Sequence, residues 1–263
     1  MKGQRISRLL KMTARFLSNP AHPFSVTALA DDFTVSKTVV SEDISIIEDS
    51  IVSEGLGRIR VDRGRAGGAA FVPAVSPERR EDFLDGLARE LSKDIRLLPS
   101  GLIYYSDILF NPEYARTLGL ILASDFYGTH PDVVVTSEVK GIPLGIFAAQ
   151  ALGVPLAVCR FRNRASDGPA VCVHFATQTG DVRAMYMGTK VLGQGCRVLV
   201  IDDFMRGGGT ASGMSLMVHE FKAELVGIGV FLVALDPPTK AVKNYSALLR
   251  LDISGQGPRV WMS

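Results

Sequence analysis

Cysteine and histidine are scarce in this chain. Three cysteines, Cys159, Cys172 and Cys196, are an odd number at wide spacings, which argues against a disulfide framework or a cysteine metal cluster. Each stands in an apolar stretch, so buried thiols in a reducing compartment are expected. His22, His130, His174 and His219 are scattered, without metal-ligand spacing, and His174, in the alternating run AVCVHF, reads as structural. No Ser–His–Asp or Cys–His arrangement can be assembled, and Ser137 has no base near it in sequence. Net charge is also lacking: 29 Lys and Arg against 27 Asp and Glu leave +2, so nucleic-acid binding must be argued from local charge. The longest uncharged run, 141–159, is cut by Pro143, Gly153 and Pro155 into a turn, a helix and a strand, too broken to span a bilayer. Charges at Lys2, Arg5, Arg8, Lys11 and Arg15 interrupt any signal-peptide core. A cytosolic protein without a membrane partner is expected, its 263 residues allowing one large domain or two smaller ones.

Charge is strongly segregated at the front. Residues 1–30 carry five Lys/Arg and no acid, 31–54 one Lys against seven acids, and 55–75 four Arg against one Asp. Within this part, TALADDFTVSKTVVSEDISII at 27–47 has the pattern of a helix-turn-helix. Thr27 is expected to cap a helix through Phe33, with Leu29 and Phe33 inward and a tight turn near Thr34–Val35. Ser36 should cap a second helix with Val39, Val40, Ile44 and Ile47 buried. That leaves Ser36, Lys37, Thr38 and Ser41 outward, a set suited to base edges or phosphates in a major groove. The segment 57–71 reads as a hairpin with Arg58 and Arg60 on its strand and Arg63 and Arg65 at its tip, a wing for the DNA backbone or minor groove. Arg5, Arg8 and Arg15 add possible phosphate contacts from a first helix. The acids Glu42, Asp43, Glu48 and Asp49 must mostly point away for this to work. The same pattern also describes a protein-contact module with soluble arginines.

FVPAVSPERR leaves this unit through two prolines, and a helix over 77–95 should bury Phe83, Leu84, Leu87 and Leu91. From about residue 100, apolar strands at 132–136, 155–159, 197–201 and 225–234 alternate with helices at 112–127, 142–152 and 211–222. This is the grammar of a parallel α/β sheet covered on both faces. The division falls at 75/76.

The run VLVIDDFMRGGGTA at 198–211 carries the chemistry. A strand ends at Asp202–Asp203, and carboxylates at that end of a parallel strand face the ligand crevice. Gly207, Gly208 and Gly209 free the backbone to wrap an anion, while Thr210 and the next helix amides can donate to a phosphate. Acids beside an anion nest make sense for a hydroxylated sugar, a hydrated Mg²⁺, or both. The lysine of a P-loop is missing. A second nest, TSEVKGIP at 136–143, offers Lys140 and the Gly141 amide, so two sheet-end loops can hold opposite ends of a diphosphorylated sugar. Between strands, 160–190 carries Arg160, Arg162, Arg164, Arg183 and Lys190 and reads as a mobile hairpin able to fold over a ligand.

VLVIDDFMRGGGTA resembles the phosphoribosyl-pyrophosphate (PRPP) signature of type I phosphoribosyltransferases, and TSEVKGIP resembles their pyrophosphate loop. With GLIYYSDIL at 101–109 and SKTVVSEDISII at 36–47, nearly the whole chain is similar to the purine operon repressors (PurR family) of Gram-positive bacteria. The resemblance implies a winged-helix domain over 1–75 fused to a phosphoribosyltransferase-like, PRPP-sensing domain over 76–263, generally without transferase activity. It implies homodimers on double-stranded operator DNA, PRPP as an inducer that weakens DNA binding, and guanosine tetraphosphate as a competitor that favours repression. No cofactor is required, and Mg²⁺ comes mainly with PRPP. Asp202 and Asp203 would hold the ribose hydroxyls. Phe204, Met205, Arg206, Gly207, Gly208, Gly209, Thr210 and Ala211 would form the 5′-phosphate loop, with Ser137, Glu138, Lys140 and Gly141 on the pyrophosphate side. Tyr104 and Arg160 would touch a nucleotide base or phosphate. One departure is MRGGG where the family more often has MKAGG, so Arg206 brings a planar fork in place of a point charge.

Sensing and catalysis need the same cradle, so the signature itself does not separate a regulator from an active purine phosphoribosyltransferase with an accessory domain. A nucleotide-binding scaffold without affinity for DNA is a third possibility. The basic N-terminal unit favours the regulator, because a transferase has no need of it.

Overall fold

The computed structural model describes residues 2–62, 68–99, 102–177, 180–255 and 257–263. They form two compact units, Met1–Pro77 with Gln150–Gly153, and Glu78–Ala149 with Val154–Ser263. The short return segment of the first unit has no counterpart in the expected division at 75/76.

The first unit contains helices α1 (Lys2–Ser18), α2 (Val26–Phe33) and α3 (Lys37–Ser53), then strands β1 (Gly57–Val61) and β2 (Ala69–Pro73). Ser25 caps α2 in place of the expected Thr27. Its backbone is extended and its side chain accepts from the Ala28 amide, whereas Thr27 already lies within the first turn. Thr34 ends α2 in the left-handed region, and Ser36 caps α3 through the Val39 amide. The buried stripe of α3 is Val40, Asp43, Ile44, Ile47 and Ile51; Val39 is only half-buried. These residues close over Met12 and Phe16 from α1 and over Leu29, Ile59 and Phe71. β1 and β2 pair antiparallel with Ile59 opposite Phe71, and Phe24 adds a bridge to Ala69. Arg63 and Arg65 lie outside the described residues.

The second unit begins with α4 (Pro77–Leu91), α5 (Ser106–Leu109) and α6 (Pro112–Phe126). α4 stops short of the expected 95, and a separate 3₁₀ turn covers Asp94–Arg96. Next come β3 (Val133–Ser137), α7 (Gly141–Leu152), β4 (Leu156–Cys159), β5 (Ala170–Ala176) and β6 (Val182–Gly188). The chain closes with β7 (Arg197–Met205), α8 (Gly209–Glu220), β8 (Glu224–Ala234), β9 (Ser246–Asp252) and β10 (Arg259–Met262). Six strands form one sheet in the order β10-β9-β8-β7-β3-β4, parallel except for the antiparallel β9–β10 pair. The last two strands had no counterpart in the sequence expectation.

The segment 160–190 is not a free flap along its described length. β5 and β6 pair antiparallel, and alternate residues Val173, Phe175, Met185 and Met187 are buried in the core with Met214 and Met217 of α8. That period-two alternation turns Cys172 and His174 outward. Only Cys159 is therefore a fully buried thiol: Cys172 is exposed and Cys196 half-buried. Burial pushes the Cys159 thiol well above its usual range.

Candidate functional site

β3 and β7 lie side by side in parallel, with register pairs from Val133–Val198 to Val135–Val200. β7 then runs on along β8, pairing Asp202 with Val230 and Phe204 with Leu232. Asp202 and Asp203 therefore sit inside β7 and not at its end, because the β8 edge continues to pair after β3 has stopped.

Both carboxylates are buried, and each accepts a hydroxyl. Ser137 Oγ donates to Asp202 Oδ1 at 3.1 Å, and the Tyr105 hydroxyl donates to Asp203 Oδ2 at 2.7 Å. Lys140 Nζ lies 4.2 Å from the centre of the Tyr105 ring. Burial raises the Asp202 carboxyl well above the usual carboxylate range, and the Asp203 charge adds to this. Asp203 is raised by burial too, opposed by the Tyr105 hydroxyl and the Lys140 charge. The Tyr105 phenol is pushed up by burial and then by Asp203, so it stays a donor. The sequence singled out Tyr104, but that side chain is exposed and its neighbour Tyr105 reaches the acids. A tyrosine doublet carries no sequence signal to choose between its members.

Thr136 adds a buried hydroxyl with no hydrogen-bond partner, set against the Gly141 backbone at the start of α7. A Cβ at Gly141 would stand 2.3 Å from Thr136 Oγ1 and 3.5 Å from Asp202 Oδ1. Gly141→Ala should therefore displace the second nest against the acids. If the crevice takes the diphosphorylated sugar that the sequence resemblance implies, calorimetry with PRPP should give an affinity at least about tenfold weaker, equivalent to 1.4 kcal/mol, on a variant whose melting confirms folding.

The glycine-rich turn joins β7 to α8. Gly208 has φ +83° and is the N-cap of α8, supplying no side-chain acceptor to the first-turn amides. Those amides and the helix dipole suit an anion. The turn is held from behind by a residue the sequence did not reveal. Lys240 Nζ donates to the carbonyls of Arg206, Ala234 and Pro237 at 2.5, 2.6 and 2.5 Å, and the Ala241 amide donates to Gly207 O at 2.7 Å. Nothing local to 198–211 could announce a lysine so far along the chain. Arg206 itself projects outward, with a guanidinium nitrogen 3.8 Å from Asp236. Glu138 and Arg160 meet each other at 3.3 Å, and Glu138 also accepts from the Phe161 amide at 2.9 Å.

In the first unit, Lys37 and Thr38 are exposed at the start of α3. Ser36 and Ser41 are exposed as well, although Ser36 Oγ caps the helix and Ser41 Oγ donates to Lys37 O. Arg58 is exposed, and Arg60 pairs with Asp62 at 3.0 Å. The first helix departs from the sequence expectation. Asp43 does not face solvent: it is fully buried and accepts from Arg5 Nε at 3.0 Å and Arg8 Nε at 2.5 Å. Arg8 is only 11% exposed and Arg5 48%. Arg15 pairs with Asp32 at 2.8 Å. Much of the basic charge of α1 is thus balanced within the fold.

Residues 4–73 match the family described as bacterial purine repressor, N-terminal, and residues 111–254 match the phosphoribosyl transferase domain. Over 95% of its length, the chain is 33% identical to the purine biosynthesis transcriptional repressor PurR of Bacillus subtilis, covering 88% of that protein. The chain belongs to the bacterial purine repressor family. The purine biosynthesis transcriptional activator PurR of Lactococcus lactis is 32% identical over 95% of this chain and 92% of its own. A xanthine phosphoribosyltransferase of Deinococcus deserti is 29% identical but spans only 60% of this chain, 89% of its own. Among solved structures, adenine phosphoribosyltransferase from Thermoanaerobacter pseudethanolicus has a TM-score of 0.55 at 19% identity, covering 64% of this chain and 99% of that one. It shares the fold of the second unit. As in its family, the present chain is a transcription regulator with a DNA-binding N-terminal unit fused to a phosphoribosyltransferase-like unit, and no helix among its described residues is long and apolar enough to cross a membrane.

Proposed function

We propose that this protein is a cytoplasmic, homodimeric repressor of purine biosynthesis and transport genes. It binds double-stranded operator DNA and is released by PRPP, while guanosine tetraphosphate competes for the same crevice and favours repression. No transferase turnover is assigned to it. The observation that carries this reading is coverage: similarity to purine regulators spans 95% of the chain, whereas similarity to a xanthine transferase stops at 60%. A fused DNA-binding unit has a purpose in a regulator and none in a transferase.

In this reading Asp202 and Asp203 hold the ribose hydroxyls, the 206–210 turn and the α8 amides hold the 5′-phosphate, and Lys140 serves the pyrophosphate. The carboxylate and hydroxyl oxygens here suit a hard cation such as the Mg²⁺ that travels with PRPP. Tyr104 and Arg160 are assigned to the nucleotide, with Tyr105 added as the donor to Asp203. At the other end, Ser36, Lys37, Thr38 and Ser41 face the major groove, and Arg58 and Arg60 the backbone.

A gel-shift titration against upstream regions of purine genes, with and without PRPP, tests the scheme, and complexes that persist at saturating PRPP contradict it. Nucleotide formation from PRPP, Mg²⁺ and purine bases would restore the enzymatic alternative. The activator name of the Lactococcus relative makes the sign of control a separate measurement, an in vitro transcription assay, where repression is expected. Lys37→Ala should weaken operator binding about tenfold, the worth of one charge-assisted contact, and leave PRPP affinity within twofold. Equal loss of both would remove the division of labour between the two ends of the chain.

A further inference from the structure

A cleft of about 490 Å³ lies within the first unit, between the start of α1 and the turn that joins α2 to α3. Its polar lining is Gln4, Ser7, Arg8, Lys11 and Thr34, and its floor includes Phe33. None of its lining residues is an acid. Gln4, Ser7, Lys11 and Thr34 are exposed, so the rim is open to solvent, while Arg8 is largely buried beneath them. Asp43 takes Arg8 through Nε and leaves its two terminal nitrogens for another acceptor. A guanidinium fixed on one edge by a buried carboxylate keeps its direction without a bound anion, so little side-chain entropy is lost when one arrives. Thr34 precedes the exposed Lys37 by three residues, so an anion in the cleft stands at the entry to the groove-reading helix.

We propose that this cleft seats one phosphodiester of the DNA backbone, with Lys11 and Arg8 supplying the charge and Gln4 and Ser7 the uncharged donors. Asp43 is a positioning residue for Arg8 in this arrangement. The open rim suits a phosphate in an extended polymer better than an enclosed small molecule. The proposal rests on the DNA-binding reading and adds to it a contact that fixes the register of the protein on the duplex.

The test is a salt titration with a labelled duplex from upstream of a purine biosynthesis gene, read as the slope of log affinity against log salt. Each phosphate contact contributes a slope of about 0.9. Lys11→Ala should lower the slope by about one and weaken binding about three- to tenfold at fixed salt, and Ser7→Asp should weaken it at least about tenfold. Arg89→Ala, an exposed charge on α4, should change neither. If both cleft variants match the parent, the seat is overturned while the DNA-binding reading stands. Inorganic phosphate bound by the parent and lost in Lys11→Ala, with the DNA slope unchanged, would likewise overturn it in favour of a free-anion site. A parent without salt-dependent DNA binding removes the broader reading and the seat with it.

Discussion

Asp202→Asn is expected to make the ligand-free protein more heat-stable and at the same time a much poorer receptor for PRPP. Asp202 is fully enclosed beside Asp203, and burial together with that neighbouring charge disfavours its ionised form. A carboxyl held above its ordinary value binds its proton more tightly in the folded chain than in the unfolded one. Its contribution to stability is therefore complete below the unfolded value of 3.8 and is lost as pH rises through the raised folded value. Asparagine keeps an oxygen that can accept from Ser137 and never acquires the charge. The gain should be about 1–2 kcal/mol at neutral pH, the usual return for relieving a strained functional position. Melting of the parent should fall as pH rises above the unfolded value of 3.8, and the variant should show a shallower fall. The cost appears on binding. A hydrogen bond to a charged acceptor contributes about 1.5–3 kcal/mol, so PRPP affinity should drop about 10- to 100-fold by calorimetry. An operator complex that resists PRPP should accompany it. A variant that is no more stable, or one that binds PRPP as well as the parent, contradicts this account of the acid pair.

Asp43→Ala should be the most damaging single change in the first unit. It removes the shared acceptor of two arginines at a position with no solvent access. Breaking one side of a buried ion pair costs about 3–5 kcal/mol, because the partner charge stays desolvated. Arg5 is half-exposed and Arg8 only 11% exposed, so the larger part of the cost follows Arg8. Denaturation of the full chain should show early loss of the N-terminal unit, and operator binding should fall with it while PRPP binding persists. The double variant Asp43→Leu with Arg8→Met should recover most of the stability, since it removes both charges together. Recovered stability with DNA affinity still reduced would separate the packing role of the pair from its use in the DNA contact. If Asp43→Ala melts like the parent, the buried pair is not what holds α1 to α3.

Much of this arrangement was legible in the sequence. Apolar periodicity marked α2, α3 and the four parallel strands β3, β4, β7 and β8, since buried strands and amphipathic helices require those patterns locally. The signature at 198–211 was legible for the same reason: a strand, a glycine turn and a helix start are consecutive in the chain, so their chemistry is written in one run. The capping of α3 by Ser36 belongs in this class. The Thr27 cap did not, because Ser25 and Thr27 both offer a capping hydroxyl and backbone angles choose between them.

Pairings between segments far apart in sequence became visible only once the chain was folded. Asp43 was one of four acids required only to point away from DNA, and its burial against α1 appears only in the folded chain. Tyr105 and not Tyr104 reaches the acid pair, because one side of the segment faces β7 and the other faces water. Lys240 became the brace of the glycine-rich turn through three carbonyls presented by the folded loop, and backbone carbonyls carry no mark in a sequence. The hairpin at 160–190 lost its freedom in the same way, since its inner face found α8. The order of amino acids set which residue types were present for a sugar phosphate and for DNA. Burial and distance, which exist only in the folded chain, decided which carboxyls are pushed toward their neutral form, which arginines are already paired, and which hydroxyls remain for a ligand.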